Sequence, residues 1–262
     1  MMKKLIFSIF STAILFSCVN NVKENYDYKT KLFKIDTGIS NVYLIKGEKN
    51  ILIDTSEQGN EKQIIDKLKS YGIKPESISL IVLTHAHGDH AGGVKFFKDK
   101  YKIPVMVGKS DEKMAQNGKN DNLKPVDLFS AIVKVFIKQE YPSFKPDLII
   151  DKTYDLQKDY GINGRVLYRP SHTEGSLVVI LGEDQAIVGD LIRGGLVFNE
   201  VPTTHFFQND KKKVDYAIKE LIENGITTFY TGHYGPLKSE DINKTFFSKE
   251  TKKKKRKAIL EE

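Results

Sequence analysis

The sequence predicts a single α/β domain, and three observations carry that expectation. Short, almost uninterrupted apolar runs alternate along the chain with longer segments whose apolar residues recur at helical spacing. The residues with evident chemistry, histidines and aspartates, fall just past the ends of three of those runs. Beyond a leader-like start, 245 residues remain, and no internal repeat or strong linker divides them. That length suits one large α/β domain better than two small ones.

Taken from the N-terminus, Met1-Met2-Lys3-Lys4 precedes an apolar run from Leu5 to Phe16, broken only by Ser8, Ser11 and Thr12. A basic start, a short apolar run and small residues after it read as a secretory signal over residues 1–17. The run is too short for a membrane-spanning helix, which needs about 20 apolar residues. The single cysteine, Cys18, ends Leu15-Phe16-Ser17-Cys18, which resembles the lipobox of bacterial lipoproteins except at Phe16. By that resemblance Cys18 is lipidated, residues 18–30 tether the domain, and the protein is anchored to a membrane of the bacterial cell envelope. An ordinary cleaved signal, giving a secreted or periplasmic protein, is the alternative. One cysteine excludes an intrachain disulfide.

The domain is expected over residues 31–248. Val42-Tyr43-Leu44-Ile45 and Ile51-Leu52-Ile53 are β-rich runs joined by Gly47-Glu48-Lys49-Asn50, a hairpin signal. Residues 60–71 place Ile64, Ile65 and Leu68 at helical spacing, with Gly72 suited to the stop. Residues 78–83 are continuously apolar apart from Ser79, as in a strand of a sheet covered on both faces, and lead into Thr84-His85-Ala86-His87. Helical patterns follow at about 91–99, 125–140 and 210–223. Residues 177–181 and 186–188 read as a buried strand pair with Asp190 just past it, and residues 227–230 as a last strand before His233.

The formal charge of +7 misleads. Lys3 and Lys4 bring two of those charges and the tail 249–262 a net four, so the body is close to neutral. A basic nucleic-acid groove is therefore not expected. The run from Lys252 to Lys257 reads as a solvated tail, with anionic lipid headgroups as its one plausible contact.

Five of the six histidines fall into one pattern: His85-Ala86-His87-Gly88-Asp89-His90, then His172, Asp190 and His233 far downstream. His85 and His87, two apart in an extended segment, point the same way. Imidazole and carboxylate suit Zn²⁺, and also Mn²⁺ or Fe²⁺. Seven such groups are too many for one tetrahedral ion and about right for two ions sharing a carboxylate, a device for hydrolysing esters and phosphoesters. His205, outside the pattern, reads as a possible pocket residue and not as a ligand.

These segments, in this order from about Lys31 to Pro236, resemble the metallo-β-lactamase-fold hydrolases. The resemblance implies a four-layer αββα sandwich. It assigns His85, His87 and His172 to a first metal, Asp89, His90 and His233 to a second, and Asp190 to the bridge. It gives Asp54 a structural role beneath the site. Two departures from the family pattern are Glu174, where proline is common, and Tyr234, where glycine is common.

The implied chemistry is hydrolysis by a hydroxide between two divalent ions, which Asp89 helps to orient. Among family members, Asp190 argues against a true zinc β-lactamase, where cysteine or serine usually stands. Only 29 residues follow His233, too few for the helical domain of glyoxalase-type thioesterases. No RNA-binding arm is evident, and His87 differs from the glutamate of flavodiiron relatives. A small ester, lactone or phosphodiester remains as substrate. The competing reading is a lipid-tethered metal-binding or sensor protein, which needs a closed coordination shell. Residues 121–146 read either as an apolar lid controlling specificity or as a helix on the outer sheet face, and Arg193 as a surface residue or a contact for an anionic group.

Overall fold

The computed structural model describes residues 30–38 and 40–248. The signal segment, Cys18, nearly all of the tether and the tail 249–262 lie outside the described residues. Among the described residues no helix is long and apolar enough to cross a membrane.

Six strands build the first sheet in chain order: β1 (Lys31–Asp36), β2 (Asn41–Lys46), β3 (Asn50–Ile53), β4 (Ile78–Val82), β5 (Val105–Gly108) and β6 (Leu148–Ile150). β1 to β3 form an antiparallel meander, and from β3 onward the pairing is parallel. Parallel neighbours need a crossover. The helix α1 (Glu61–Ser70) joins β3 to β4, and α2 (Gly88–Ala91) with α3 (Val94–Tyr101) joins β4 to β5. The helix expected at about 91–99 is α3, which starts at Val94 because Gly92-Gly93 separates it from α2 and is poorly suited to a helix interior. α4 (Glu112–Asn117) and α5 (Leu128–Lys134) lie between β5 and β6.

The second sheet contains β7 (Tyr154–Asp155), β8 (Gly164–Tyr168), β9 (Leu177–Leu181), β10 (Gln185–Gly189), β11 (Thr228–Thr231) and β12 (Leu237–Lys238), in reverse spatial order. α6 (Leu156–Tyr160) lies between β7 and β8, and α8 (Ser239–Ile242) follows β12. Only β10 and β11 pair in parallel, and α7 (Lys211–Glu223) is their crossover. Its N-terminus is capped by Asp210, whose carboxylate accepts from the N–H groups of Lys212 and Lys213.

Side chains alternate across a strand, and this parity sorts the core into three layers. From β2, Val42 and Leu44 pack toward α1, where Ile64 and Leu68 meet them, while Tyr43 and Ile45 face the other sheet. From β9, Val178 and Ile180 pack against Ile218 and Leu221 of α7, while Leu177, Val179 and Leu181 face back. Helix, sheet, sheet, helix is the four-layer αββα sandwich. Full burial of Leu68 stabilises by about 1.5–3 kcal/mol, and truncating it to alanine costs about 2–5 kcal/mol.

Candidate metal centre

One rim collects the ligand-type residues because strand direction puts them there. His85 follows β4, Asp190 follows β10 and His233 follows β11. β8 runs parallel to β10, both being antiparallel to β9, so the loop after β8 brings His172 to the same end. Backbone hydrogen bonds tie the loops together: Leu177 N donates to Thr84 O, Gly232 N to Gly189 O and Thr55 N to His90 O, each at 2.7 Å. Gly232 has to be glycine. A Cβ there would lie 2.2 Å from Asp190 Oδ1 and 2.7 Å from His90 Cε1.

All seven predicted residues converge. Ligand-type atoms of His85, His87 and His172 lie within 4.8 Å of one another, and so do those of Asp89, His90, Asp190 and His233. Asp190 stands between the groups. Its Oδ2 is 3.7 Å from Nε2 of both His85 and His172, and its Oδ1 is 3.5 Å from His90 Nε2. Asp89 Oδ2 is 3.3 Å from His233 Nε2 and 3.8 Å from His90 Nε2.

A second layer fixes the rings. Asp54, just past β3, accepts from Thr84 N and Thr84 Oγ1 and lies 2.9 Å from His90 Nδ1. Asp121 Oδ1 lies 2.9 Å from His87 Nε2, which leaves Nδ1 of that ring facing His172 Nε2 at 3.2 Å. Phe207 O lies 2.9 Å from His172 Nδ1. Buried Asp111 clamps the two halves by accepting from Ala86 N, Thr173 Oγ1 and Gly175 N. Partners on the far nitrogen set tautomer and orientation, which is how metal-binding histidines are held.

The charges are arranged for cation binding. Burial drives the His85 and His172 imidazoles well below the ordinary histidine range, so both are neutral ligands in waiting. Burial opposes ionisation of Asp190, but His205, His233 and His90 overcome it and hold the carboxyl well below the usual range. Burial also opposes a charge on His233, yet Asp190 and Asp89 raise it to about 10. Buried Nε2 of His85, Nε2 of His90 and Oδ1 of Asp190 have no hydrogen-bond partner. Each such orphan costs about 1–3 kcal/mol. Three aimed at the same space fit divalent cations, and the all-imidazole and carboxylate donor set fits Zn²⁺, Mn²⁺ or Fe²⁺.

A sequence profile of the metallo-beta-lactamase superfamily matches residues 35–233. The chain belongs to that superfamily. A probable metallo-hydrolase of Methanocaldococcus jannaschii is 30% identical over 195 residues, 74% of this chain and 87% of that protein. An N-acyl homoserine lactonase of Bacillus cereus is 25% identical over 194 residues, covering 70% and 63%. Among solved structures, the B3 metallo-beta-lactamase BLEG-1 superposes with a TM-score of 0.62 over 83% of this chain and all of that one, at 20% identity. The chain is a metal-dependent hydrolase of the metallo-beta-lactamase fold.

On this superfamily scaffold the site opens into a cavity of about 260 Å³. His87, Asp89, Asp190, His205 and His233 form its floor, and Leu123, Val133, Ile137, Phe206 and Tyr234 contribute to its walls. A groove of about 490 Å³ beside Lys95, Lys98 and Phe144 lies away from these residues and holds none of the histidines. Glu174 points away as well, paired with Lys213 at 2.9 Å.

Two expectations need correction. Arg193 is neither on the surface nor in the cavity lining: it is buried, with its guanidinium carbon 4.1 Å over the Phe206 ring as a prop for that wall. Residues 121–146 form no helix on the outer sheet face. They hold the short α5, which joins none of the three core layers, while Val133 and Ile137 line the cavity. His205 lines the cavity, as the pocket reading expects, and is buried with Nε2 3.0 Å from Asp190 Oδ2. Asp111 and Asp121 were missed because nothing distinguishes them among 34 acidic residues. The only signal for His205 was that it alone fell outside the pattern.

Proposed function

We propose that the protein is a dinuclear zinc hydrolase, with Mn²⁺ or Fe²⁺ as alternative ions, that cleaves a small ester, lactone or phosphodiester. The observation that carries this reading is buried Asp190, whose carboxylate lies within 3.7 Å of Nε2 of His85 and His172 in one group and of His90 and His233 in the other. Two divalent ions bound there would acidify a water and polarise the scissile group. The chain does the rest. Asp190 holds both positions together, and Asp89, on the cavity floor, orients the attacking water and accepts its hydrogen bond. Asp54, Asp121 and Phe207 O keep the rings aimed, so little reorganisation accompanies the reaction. The apolar wall favours substrates with an apolar group beside the scissile bond. The lactone-cleaving relative from Bacillus cereus is consistent with that class.

The cavity opening onto Asp89, Asp190 and His233 favours catalysis over the closed shell that a purely structural or sensory metal site would require. Elemental analysis of protein purified without chelator is expected to give about two equivalents of metal per chain. A reproducible value below one, in folded protein, overturns the dinuclear reading. Screening the loaded protein on esters, lactones, phosphodiesters and β-lactams identifies the bond. The envelope address is also our proposal: Cys18→Ser is expected to release the protein from membranes, and unchanged membrane association sinks it.

A further inference from the structure

All six histidines of the chain meet in one site, and the family pattern accounts for five. His205 comes from the irregular segment between β10 and α7. Its Nε2 lies 3.0 Å from Asp190 Oδ2, and its ring stands 4.8 Å from that of His172 at 89°. Ligand-type atoms of His172, Asp190 and His205 are within 4.8 Å of one another. One carbonyl orients both rings: Phe207 O is 2.9 Å from His172 Nδ1 and 3.1 Å from His205 Nδ1. A carbonyl oxygen has two lone pairs and can accept both bonds. An Nε2 lone pair on each ring is then directed into the site, as in other metal-ligating histidines.

We propose that His205 is an additional metal ligand, binding through Nε2 the ion shared by His85, His87, His172 and Asp190, so that this position takes more than four ligands. The proposal rests on the dinuclear reading above. Spacing argues for it. Two ligands about 2.0–2.1 Å from one ion lie about 3.3–3.4 Å apart at a tetrahedral angle and about 2.9 Å apart at a right angle. The observed 3.0 Å fits the right angle, which a four-coordinate tetrahedron lacks. An imidazole lone pair facing a carboxylate at that distance is also repulsive unless a cation lies between them. The opposing arrangement is equally definite. Phe207 N is 3.3 Å from Nδ1 of His205, and in the other tautomer Nε2 carries the proton, donates it to Asp190 and cannot ligate.

An expanded, nitrogen-rich shell draws this position toward Fe²⁺ or Co²⁺ and away from the four-coordinate geometry of structural zinc. The test is proton NMR of the full chain loaded with Co²⁺, in which each ligating histidine contributes one solvent-exchangeable, strongly shifted ring N–H signal. Wild type is expected to show one signal for each of its six histidines. His205→Gln is expected to lose one of them, with cobalt affinity at that position lower by on the order of 10–100-fold. Only five signals from wild type, or an unchanged spectrum in the variant, overturns the proposal while leaving the two-ion centre standing. The wild-type count stands alone if the variant fails to fold. Wild-type protein that binds fewer than two equivalents overturns the dinuclear reading, and this proposal with it.

Discussion

The floor of the cavity, with the buried His85, His90 and His172 behind it, contrasts with the segment around α5 that lines the cavity through Val133 and Ile137, here called the mouth, where Leu128, Val135 and Phe136 are 80%, 79% and 82% exposed. The floor residues answer to several constraints at once: a backbone fixed by the sheet, a partner on the far ring nitrogen, and a shared carboxylate. The mouth residues answer to few. Leu196, Val197 and Phe198, on the segment after β10, are likewise exposed. Exposed apolar side chains gathered near a site mark a binding surface more often than a structural one. The contrast separates two tasks. On the function proposed above, the floor would determine which bond breaks and the mouth what reaches it, so the mouth can change without disturbing the fold.

The largest break in this contrast comes from the floor. Asp190→Ala is expected to abolish turnover and to lower metal content toward one equivalent or less, with a lower melting temperature of the as-purified protein. Asp89→Ala comes next, with at least one metal retained and the rate down on the order of 10²-fold. Metal stoichiometry and turnover, measured on the same preparations, decide both. Near-wild-type turnover in either variant refutes the mechanism, and equal metal loss in both removes only the division of labour between them.

The same contrast explains what the sequence made legible. The floor could be read because its chemistry is local: His85, His87, Asp89 and His90 sit within six residues, and buried strands such as 78–82, apart from Ser79, and 177–181 are apolar runs. The strands β7 and β12, of two residues each, are too short to leave a periodic signal, and their existence is decided by the neighbours they pair with. His205 and Asp121 act across 15 and 34 residues from Asp190 and His87, and no spacing rule links them. Residues 125–140 have a helical apolar pattern, yet only Leu128–Lys134 is helical, because no sheet face lies beneath to complete the helix.

Asp121→Ala sharpens the comparison at the boundary between floor and walls. Asp121 is half-buried, touches the floor through His87 Nε2 and is held by Asn209 Nδ2 at 2.7 Å. Burial opposes its charge, but the hydrogen bond and charge of His87 prevail and pull its carboxyl to about 2. The carboxylate therefore persists at neutral pH. Its loss is expected to weaken metal affinity by about 10–100-fold, as for other residues that orient a ligand ring. Competition with a chromogenic chelator measures this, and an unchanged affinity shows that His87 is positioned without it.

The smallest effect is expected at the mouth. Phe136 borders a side lobe of about 190 Å³ that also touches Asp89 and Ile137, yet most of its ring faces solvent. Phe136→Ser removes no core contact, so stability should stay within about 0.5 kcal/mol of wild type. Metal content should not change. A bound substrate with an apolar chain would cover the ring, and covering part of such a side chain contributes about 1 kcal/mol, or roughly fivefold in kcat/KM. A short substrate with the same scissile bond would not reach Phe136 and should be hydrolysed at the wild-type rate. Paired kcat/KM values for the long and short substrates read the difference. A drop of several degrees in Tm would assign Phe136 to the fold, and equal losses on both substrates would place it in the floor's chemistry. Either result would erase the boundary between floor and mouth.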